Sequence, residues 1–225
     1  MMARISIAID GPAAAGKSTV AKEVAKRLGY TYIDTGAMYR AFTYYVLKRG
    51  VDPRSETACD DLIPEVSIEL KPGGTVLCNK EDVTHQIREN DVSANVSYIA
   101  SYKNIRLALV DQQRQMALVD SVVMDGRDIG TYVLPNAEIK IFQIASVETR
   151  AVRRYEENLG KGIPCTLESV EEDLRRRDYI DSHRDFAPLK PAIDSILIDT
   201  SFMTVEEVVI RIIDIIERKL SGIQK

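Results

Sequence analysis

Eight residues near the start of this chain, Gly11-Pro12-Ala13-Ala14-Ala15-Gly16-Lys17-Ser18, satisfy the spacing G-x-x-x-x-G-K-[ST]. A loop that wraps a phosphate needs glycine where the backbone turns sharply and comes close to the anion. It also needs a helix N-terminus, where unpaired N–H groups gather. The β-branched run Ile5–Ile9 leads into the motif and helical sequence from Lys17 to Leu28 leads out, with Gly29 placed to stop the helix. In such a loop Lys17 reaches the outer phosphates and the Ser18 hydroxyl ligates Mg²⁺. The motif implies a nucleoside triphosphate site between a strand and a helix of an α/β fold.

The remaining pattern agrees with that fold. Tyr30–Ile33, Ser121–Asp125, Glu138–Ile144 and Ser195–Asp199 read as strands, and Gly36–Lys48 as a helix closed by Gly50. Thr204 and Glu207 form a capping box ahead of a last helix whose apolar positions are Val205, Val208, Val209, Ile212, Ile216 and Leu220. Alternating strands and helices predict a P-loop NTPase fold, a parallel sheet with helices on both faces. Two segments break the rhythm. Ser67–Leu70, Thr75–Cys78 and Val83–Ile87, arranged around the turn Lys71-Pro72-Gly73-Gly74, predict a small antiparallel insertion that spans 62–95 with its flanks. Residues 149–184 are helical and dense in charge, with a break at Gly160-Lys161-Gly162-Ile163-Pro164 that predicts a hinged helical lid. Residues 1–225 read as one unit with both segments embedded in it.

Charge narrows the function. The chain carries 30 Lys and Arg against 34 Asp and Glu, a net −4, the wrong sign for gripping a nucleic acid polymer or an anionic membrane. Yet 18 of those cations are arginine, whose planar fork suits bidentate phosphate recognition. The most apolar helical run, Val205–Ile216, is interrupted by four charges and cannot span a bilayer. Cys59, Cys78 and Cys165 are odd in number and lack CxxC spacing, so neither a disulfide framework nor a zinc site is expected, and the cytoplasm is the expected compartment. No heptad or continuous apolar stripe calls for a partner, so a monomer is expected.

Two clusters point to a second anionic substrate. Val122-Val123-Met124-Asp125 is an apolar strand ending in a carboxylate suited to Mg²⁺ and its waters, and it continues as Gly126-Arg127-Asp128. Asp34-Thr35-Gly36-Ala37-Met38-Tyr39-Arg40 occupies the preceding strand-to-helix junction. Two arginines at neighbouring strand ends beside a P-loop favour phosphate capture. An acceptor that is itself a phosphate needs no strong base, and only His85 and His183 are ordinary neutral-pH bases here. Asn79-Lys80-Glu81-Asp82 matches a guanine-reading signature, but it falls within the hairpin insertion and no D-x-x-G accompanies it, so the match is accidental.

The run from Ile9 to Thr19, Asp34-Thr35-Gly36-Ala37-Met38-Tyr39-Arg40, Asp125-Gly126-Arg127-Asp128, and Arg177-Asp178…Asp181-Ser182-His183-Arg184…Ala187-Pro188-Leu189 occur in that order. Together they resemble the bacterial-type cytidylate (CMP) kinase family, over nearly the whole chain. The resemblance implies transfer of the γ-phosphate of ATP to CMP or dCMP with Mg²⁺. It implies that Gly11 to Thr19 hold ATP and that Arg40, Arg127 and Arg184 bind the transferred and acceptor phosphates, with Lys17. It further implies that Ser97, Arg106 and Asp128 read cytosine, that Asp181 with Arg177 nearby holds the sugar, and that Thr35 adjusts the ribose or phosphate fit. Lys161, Arg153 and Arg154 are implied as lid residues over ATP. A kinase acting on UMP or a shikimate-type hydroxyl is the alternative enzyme, and a nucleotide-sensing module the non-enzymatic one. A sensor would not require Arg127 and Arg184 to converge on the γ-phosphate.

Overall fold

The protein is described from a computed structural model covering residues 4–223. In chain order, β1 (Ser6–Asp10), α1 (Lys17–Leu28), β2 (Thr31–Asp34) and α2 (Thr35–Lys48) come first. Next are α3 (Glu56–Asp60), β3 (Ile68–Leu70), β4 (Val76–Cys78), β5 (Glu81–Asp82), α4 (Asn90–Ile99) and α5 (Lys103–Ala117). The chain continues through β6 (Val122–Gly126), β7 (Ile139–Ile144), α6 (Val147–Gly160), α7 (Leu167–His183), β8 (Ile196–Asp199) and α8 (Val205–Ile223).

Five of these strands form a parallel sheet in the order β2-β6-β1-β7-β8. A central strand covered on both sides needs apolar residues on both faces, and β1 shows this. Ile7 and Ile9 pack with Val20 and Val24 of α1 and Val209 and Ile212 of α8, while Ala8 meets Val110, Met124 and Val133 on the opposite face. Each fully buried isoleucine contributes about 1.5–3 kcal/mol. The register aligns Asp10 with Gly126 and Asp34 with Asp125. The P-loop, the start of α2 and the Gly126-Arg127-Asp128 turn therefore emerge at one edge of the sheet. Gly29 ends α1 in the left-handed region (φ 69°), where only glycine is unstrained. The Thr204–Glu207 capping box is formed. Val205, expected on the apolar stripe of α8, is instead exposed, because the first turn of that helix lies on the rim of the central cleft.

β3, β4 and β5 form the expected antiparallel insertion, packed on α2 and α4. Its third strand is Glu81–Asp82 rather than Val83–Ile87. Asn79 and Lys80 both adopt left-handed backbone (φ 50° and 70°), so the chain reverses over two residues and pairs Glu81 with Cys78. Asp82 then accepts the Thr84 N–H at 3.0 Å and turns the chain out of the ladder, while Val83 and Ile87 enter the insertion's core. This turn also accounts for Asn79-Lys80-Glu81-Asp82. Asn79 is spent on the Ser67 N–H (2.8 Å) and the Glu65 carbonyl (2.9 Å), so the resemblance to a guanine reader is structural coincidence. α6 and α7 form the charged helical hairpin expected over 149–184, with Thr166 and Ser169 capping the second helix reciprocally. No helix among the described residues is long and apolar enough to cross a membrane.

Candidate active site

The sheet edge opens into a cleft of about 570 Å³ lined by the P-loop, the start of α2, the Gly126-Arg127-Asp128 turn and parts of α4, α5, α6 and α7. Nine cationic side chains and five carboxylates line it, so this surface reverses the net charge of the chain.

On the P-loop side, Gly11 (φ 152°) and Gly16 (φ 87°) take backbone conformations that side chains rarely adopt, and Ala14 joins them at 57°. Lys17 is buried and its Nζ donates to the Pro12 carbonyl at 2.6 Å. Ser18 donates to Asp125 Oδ2 at 2.8 Å, and Tyr32 donates to Asp125 Oδ1 at the same distance. A hydroxyl and a carboxylate oxygen side by side are hard donors that suit Mg²⁺, an ion that keeps several waters and takes few protein ligands. Thr35 is spent locally: its hydroxyl donates to the Asp125 carbonyl at 2.7 Å.

On the facing side, Asp128 sits between two buried arginines. Arg106 Nη2 donates to one of its oxygens, and Arg184 Nη2 to the other at 3.2 Å. Both guanidinium groups also donate to the Ala100 carbonyl, at 3.0 and 3.1 Å, which fixes their planes. Ser97 Oγ and Arg106 Nε are buried beside them with no protein partner. Polar groups this deep cost several kcal/mol when left unpaired in a dry interior, so they mark where a polar ligand edge fits. Arg127 donates through Nε to Asp181 Oδ2 at 2.8 Å, and Arg40 grips Asp34 through both oxygens at 3.1 and 3.2 Å.

The structure brings Lys17, Ser18, Thr35, Arg40, Ser97, Arg106, Asp125, Arg127, Asp128, Arg177, Asp181 and Arg184 to this one cleft. Asp181 bonds to Arg127, and Arg177 has its ion pair with Asp173 at 3.9 Å. Lys161 lines an adjoining pocket that shares Arg40, Arg88, Arg154, Glu157 and Arg177 with the cleft, and it pairs with Glu157, whereas Arg153 and Arg154 line the cleft itself. Arg153 is anchored to the Thr200 carbonyl at 2.7 Å. Two contributors are assigned no role by the sequence pattern, although Asp10 lies within the Ile9–Thr19 run. Arg88 lines the cleft 3.7 Å from Asp34. Asp10, the last residue of β1, accepts the Ile129 and Gly130 N–H groups at 2.8 Å each and so fixes the turn carrying Asp128.

The crowded cations perturb one another. Burial and the nearby Arg127 bring Lys17 down to about 7, and the same two causes bring Arg177 down to about 10. Burial alone would raise Asp181, but Arg127, Arg184 and Arg177 outweigh it and hold its carboxyl below the ordinary value. Burial raises Asp10 to about 7. Polyphosphate beside Lys17 favours its charged form and restores its pKa upward. Binding of ATP is therefore expected to take up protons at pH 8 and clearly fewer at pH 6. Calorimetry in buffers of different ionisation enthalpy measures this. A binding enthalpy independent of buffer at pH 8, or uptake that persists in Lys17→Met, contradicts the assignment.

A sequence profile of the cytidylate kinase family matches residues 7–218. The chain is 55% identical to the cytidylate kinase of Anoxybacillus flavithermus, over 99% of this chain and 100% of that protein. It is 56% identical to the cytidylate kinase of Geobacillus kaustophilus, over 98% of this chain and 100% of that protein. An uncharacterized protein from Eubacterium ventriosum ATCC 27560, known as a crystal structure, shares the fold. It aligns with a TM-score of 0.53 at 15% identity, covering 96% of this chain and 99% of that one. With a profile match and relatives of this identity spanning the P-loop, the Asp128 turn and the arginine-bearing α7 alike, the chain belongs to the cytidylate kinase family.

Proposed function

We propose that this cleft transfers the γ-phosphate of ATP to CMP or dCMP, with the residues that line it in the following roles. The observation that carries the reading is the Arg106–Asp128–Arg184 cluster beside the unpartnered Ser97 hydroxyl, facing a P-loop across one cleft. Gly11 to Thr19 cradle the donor phosphates, with Lys17 neutralising the outer ones. Ser18 and Asp125 hold Mg²⁺ directly or through water, and the ion supplies charge neutralisation at the donor phosphates when bound. Asp128 accepts from the exocyclic amine of cytosine; a carboxylate has lone pairs to spare after two arginine bonds. Uracil would present an acceptor to Asp128 in place of that amine, while Ser97 Oγ and Arg106 Nε face the rest of the base edge. Asp181 and Arg177 hold the sugar side, with Thr35 shaping the adjacent wall.

The acceptor phosphate, already anionic at neutral pH, attacks the γ-phosphorus. The bond to the β–γ bridging oxygen breaks, and ADP and the diphosphate product leave. No proton need be abstracted from the acceptor, so positioning and neutralisation carry the catalysis. Arg40, Arg127 and Arg184 supply the positive charge at the two phosphates. Residues 62–95 act as the monophosphate-binding insertion and 149–184 as the lid over the donor. The enzyme is proposed to work as a cytoplasmic monomer.

The test is turnover of ATP and Mg²⁺ with a panel of CMP, dCMP, UMP, AMP and shikimate. CMP and dCMP are expected to be preferred. Strong turnover of AMP or shikimate with none of CMP sinks the reading.

A further inference from the structure

An ion pair between the two helices of the hairpin also grips the phosphate loop. Arg150 on α6 is 3% exposed. Its Nη1 donates to the Ala13 carbonyl at 3.0 Å and lies 2.7 Å from Asp178 Oδ2, and its Nε donates to the Ala145 carbonyl at 3.0 Å. Asp178 on α7 accepts the Ala13 N–H through Oδ1 at 3.3 Å. Both backbone polar groups of Ala13 are thus held by side chains from the two helices of the hairpin. The Ala13 methyl packs in a small apolar cluster with Ala151, Val170 and Leu174 from the same two helices.

A hairpin held to the sheet by packing alone needs none of this, because apolar residues of similar volume do as well as a buried ion pair or better. The pair is also placed where it matters for the reaction. Asp178 follows Arg177 directly and lies about one turn before Asp181, whose carboxylate holds Arg127. A shift of α7 that re-aims Arg177 and Asp181 therefore also moves the carboxylate that holds Ala13. We propose that Arg150 and Asp178 are positioning residues that set the donor loop at Ala13 according to the place of the lid helices, so that the acceptor side of α7 and the ATP-binding loop are adjusted together. This inference rests on the reading of the P-loop and hairpin as donor site and lid.

The experiment uses the full chain with Arg150→Met and Asp178→Leu combined, which removes both charges and leaves neither buried alone. Steady-state kinetics are measured with each substrate varied, alongside thermal unfolding. The expected result is an unfolding midpoint close to the parent's, a KM for ATP raised at least tenfold and a KM for CMP within twofold. A KM for ATP within twofold of the parent makes the pair a staple of the hairpin only and overturns the proposal. Parallel rises in both KM values make it a general support of the fold and overturn it equally. If the double variant does not fold, Asp178→Asn keeps the side-chain volume and one acceptor for the Ala13 N–H. Tenfold weaker binding of a fluorescent ATP analogue then supports the proposal, and unchanged binding overturns it. Parent turnover of CMP is measured first, so a failure of the kinase reading appears in the parent and a failure of the clamp only in the variants.

Discussion

Replacing Asp128 by alanine is expected to lower kcat/KM for CMP by about 10³- to 10⁴-fold while leaving the affinity for ATP within about twofold. A site built to hydrogen-bond one substrate group rejects an analogue lacking it by roughly 10⁴–10⁵, and Asp128 is the only carboxylate between Arg106 and Arg184. The substitution also strands those two cations, each almost fully buried. Breaking a buried pair by removing one partner costs about 3–5 kcal/mol, which lowers the melting temperature by roughly 10 °C in a chain of this size. Asp128→Asn separates the two effects. It keeps the volume, and its amide can donate to the oxygen that uracil presents, so the preference for CMP over UMP is expected to fall by at least about 10²-fold. Equal losses toward ATP and CMP in either variant make Asp128 a structural or metal-associated residue instead.

The second large effect is expected at Gly11. A Cβ there falls 1.9 Å from the Gln143 carbonyl oxygen, at φ 152°. That oxygen belongs to the backbone of β7 and cannot rotate away, so β1 and β7 must separate or the loop must move. Misplacement by about 1 Å costs about 10²-fold in rate, and overpacking a tight contact costs about 1–3 kcal/mol or more. Gly11→Ala is therefore expected to lower kcat/KM for ATP by at least about 10²-fold and to lower the unfolding midpoint. Gly29→Ala is the control. Its Cβ meets nothing within 4 Å at φ 69°, so it costs only the left-handed backbone penalty, about 1–2 kcal/mol, with kinetics unchanged. A wild-type KM for ATP in Gly11→Ala removes the close approach from the account.

The features legible in the sequence are those written in local pattern. β1, β2, β6, β7 and β8 are runs of β-branched residues with polar punctuation, and each was placed within a residue or two of its observed start. The P-loop and the Asp128 turn are short contiguous motifs, so their meeting at one sheet edge follows from strand direction alone. What escaped depends on pairing over long separations. Arg150, Asp178 and Ala13 lie on three elements, and nothing local distinguishes Arg150 from the exposed charges of its helix. Asp10 reads as the polar end of an apolar strand, yet it bridges to a turn more than a hundred residues away. Val83–Ile87 looked like a strand because its apolar residues are buried. The left-handed pair at Asn79-Lys80 had already used the pairing edge two residues earlier.

One further consequence concerns water. Every carboxylate lining the cleft is engaged: Asp34 by Arg40, Asp125 by Ser18 and Tyr32, Asp128 by two arginines, Asp181 by Arg127 and Glu157 by Lys161. Both histidines are exposed and neither lines the cleft. A water molecule entering with ATP thus meets cations and carboxylates already paired with cations or hydroxyls, and no histidine to take its proton. A phosphate acceptor arrives already ionised and needs none. A cleft without imidazole is therefore expected to hydrolyse ATP far more slowly than it phosphorylates an acceptor, so that ATP bound ahead of the second substrate is not wasted on water.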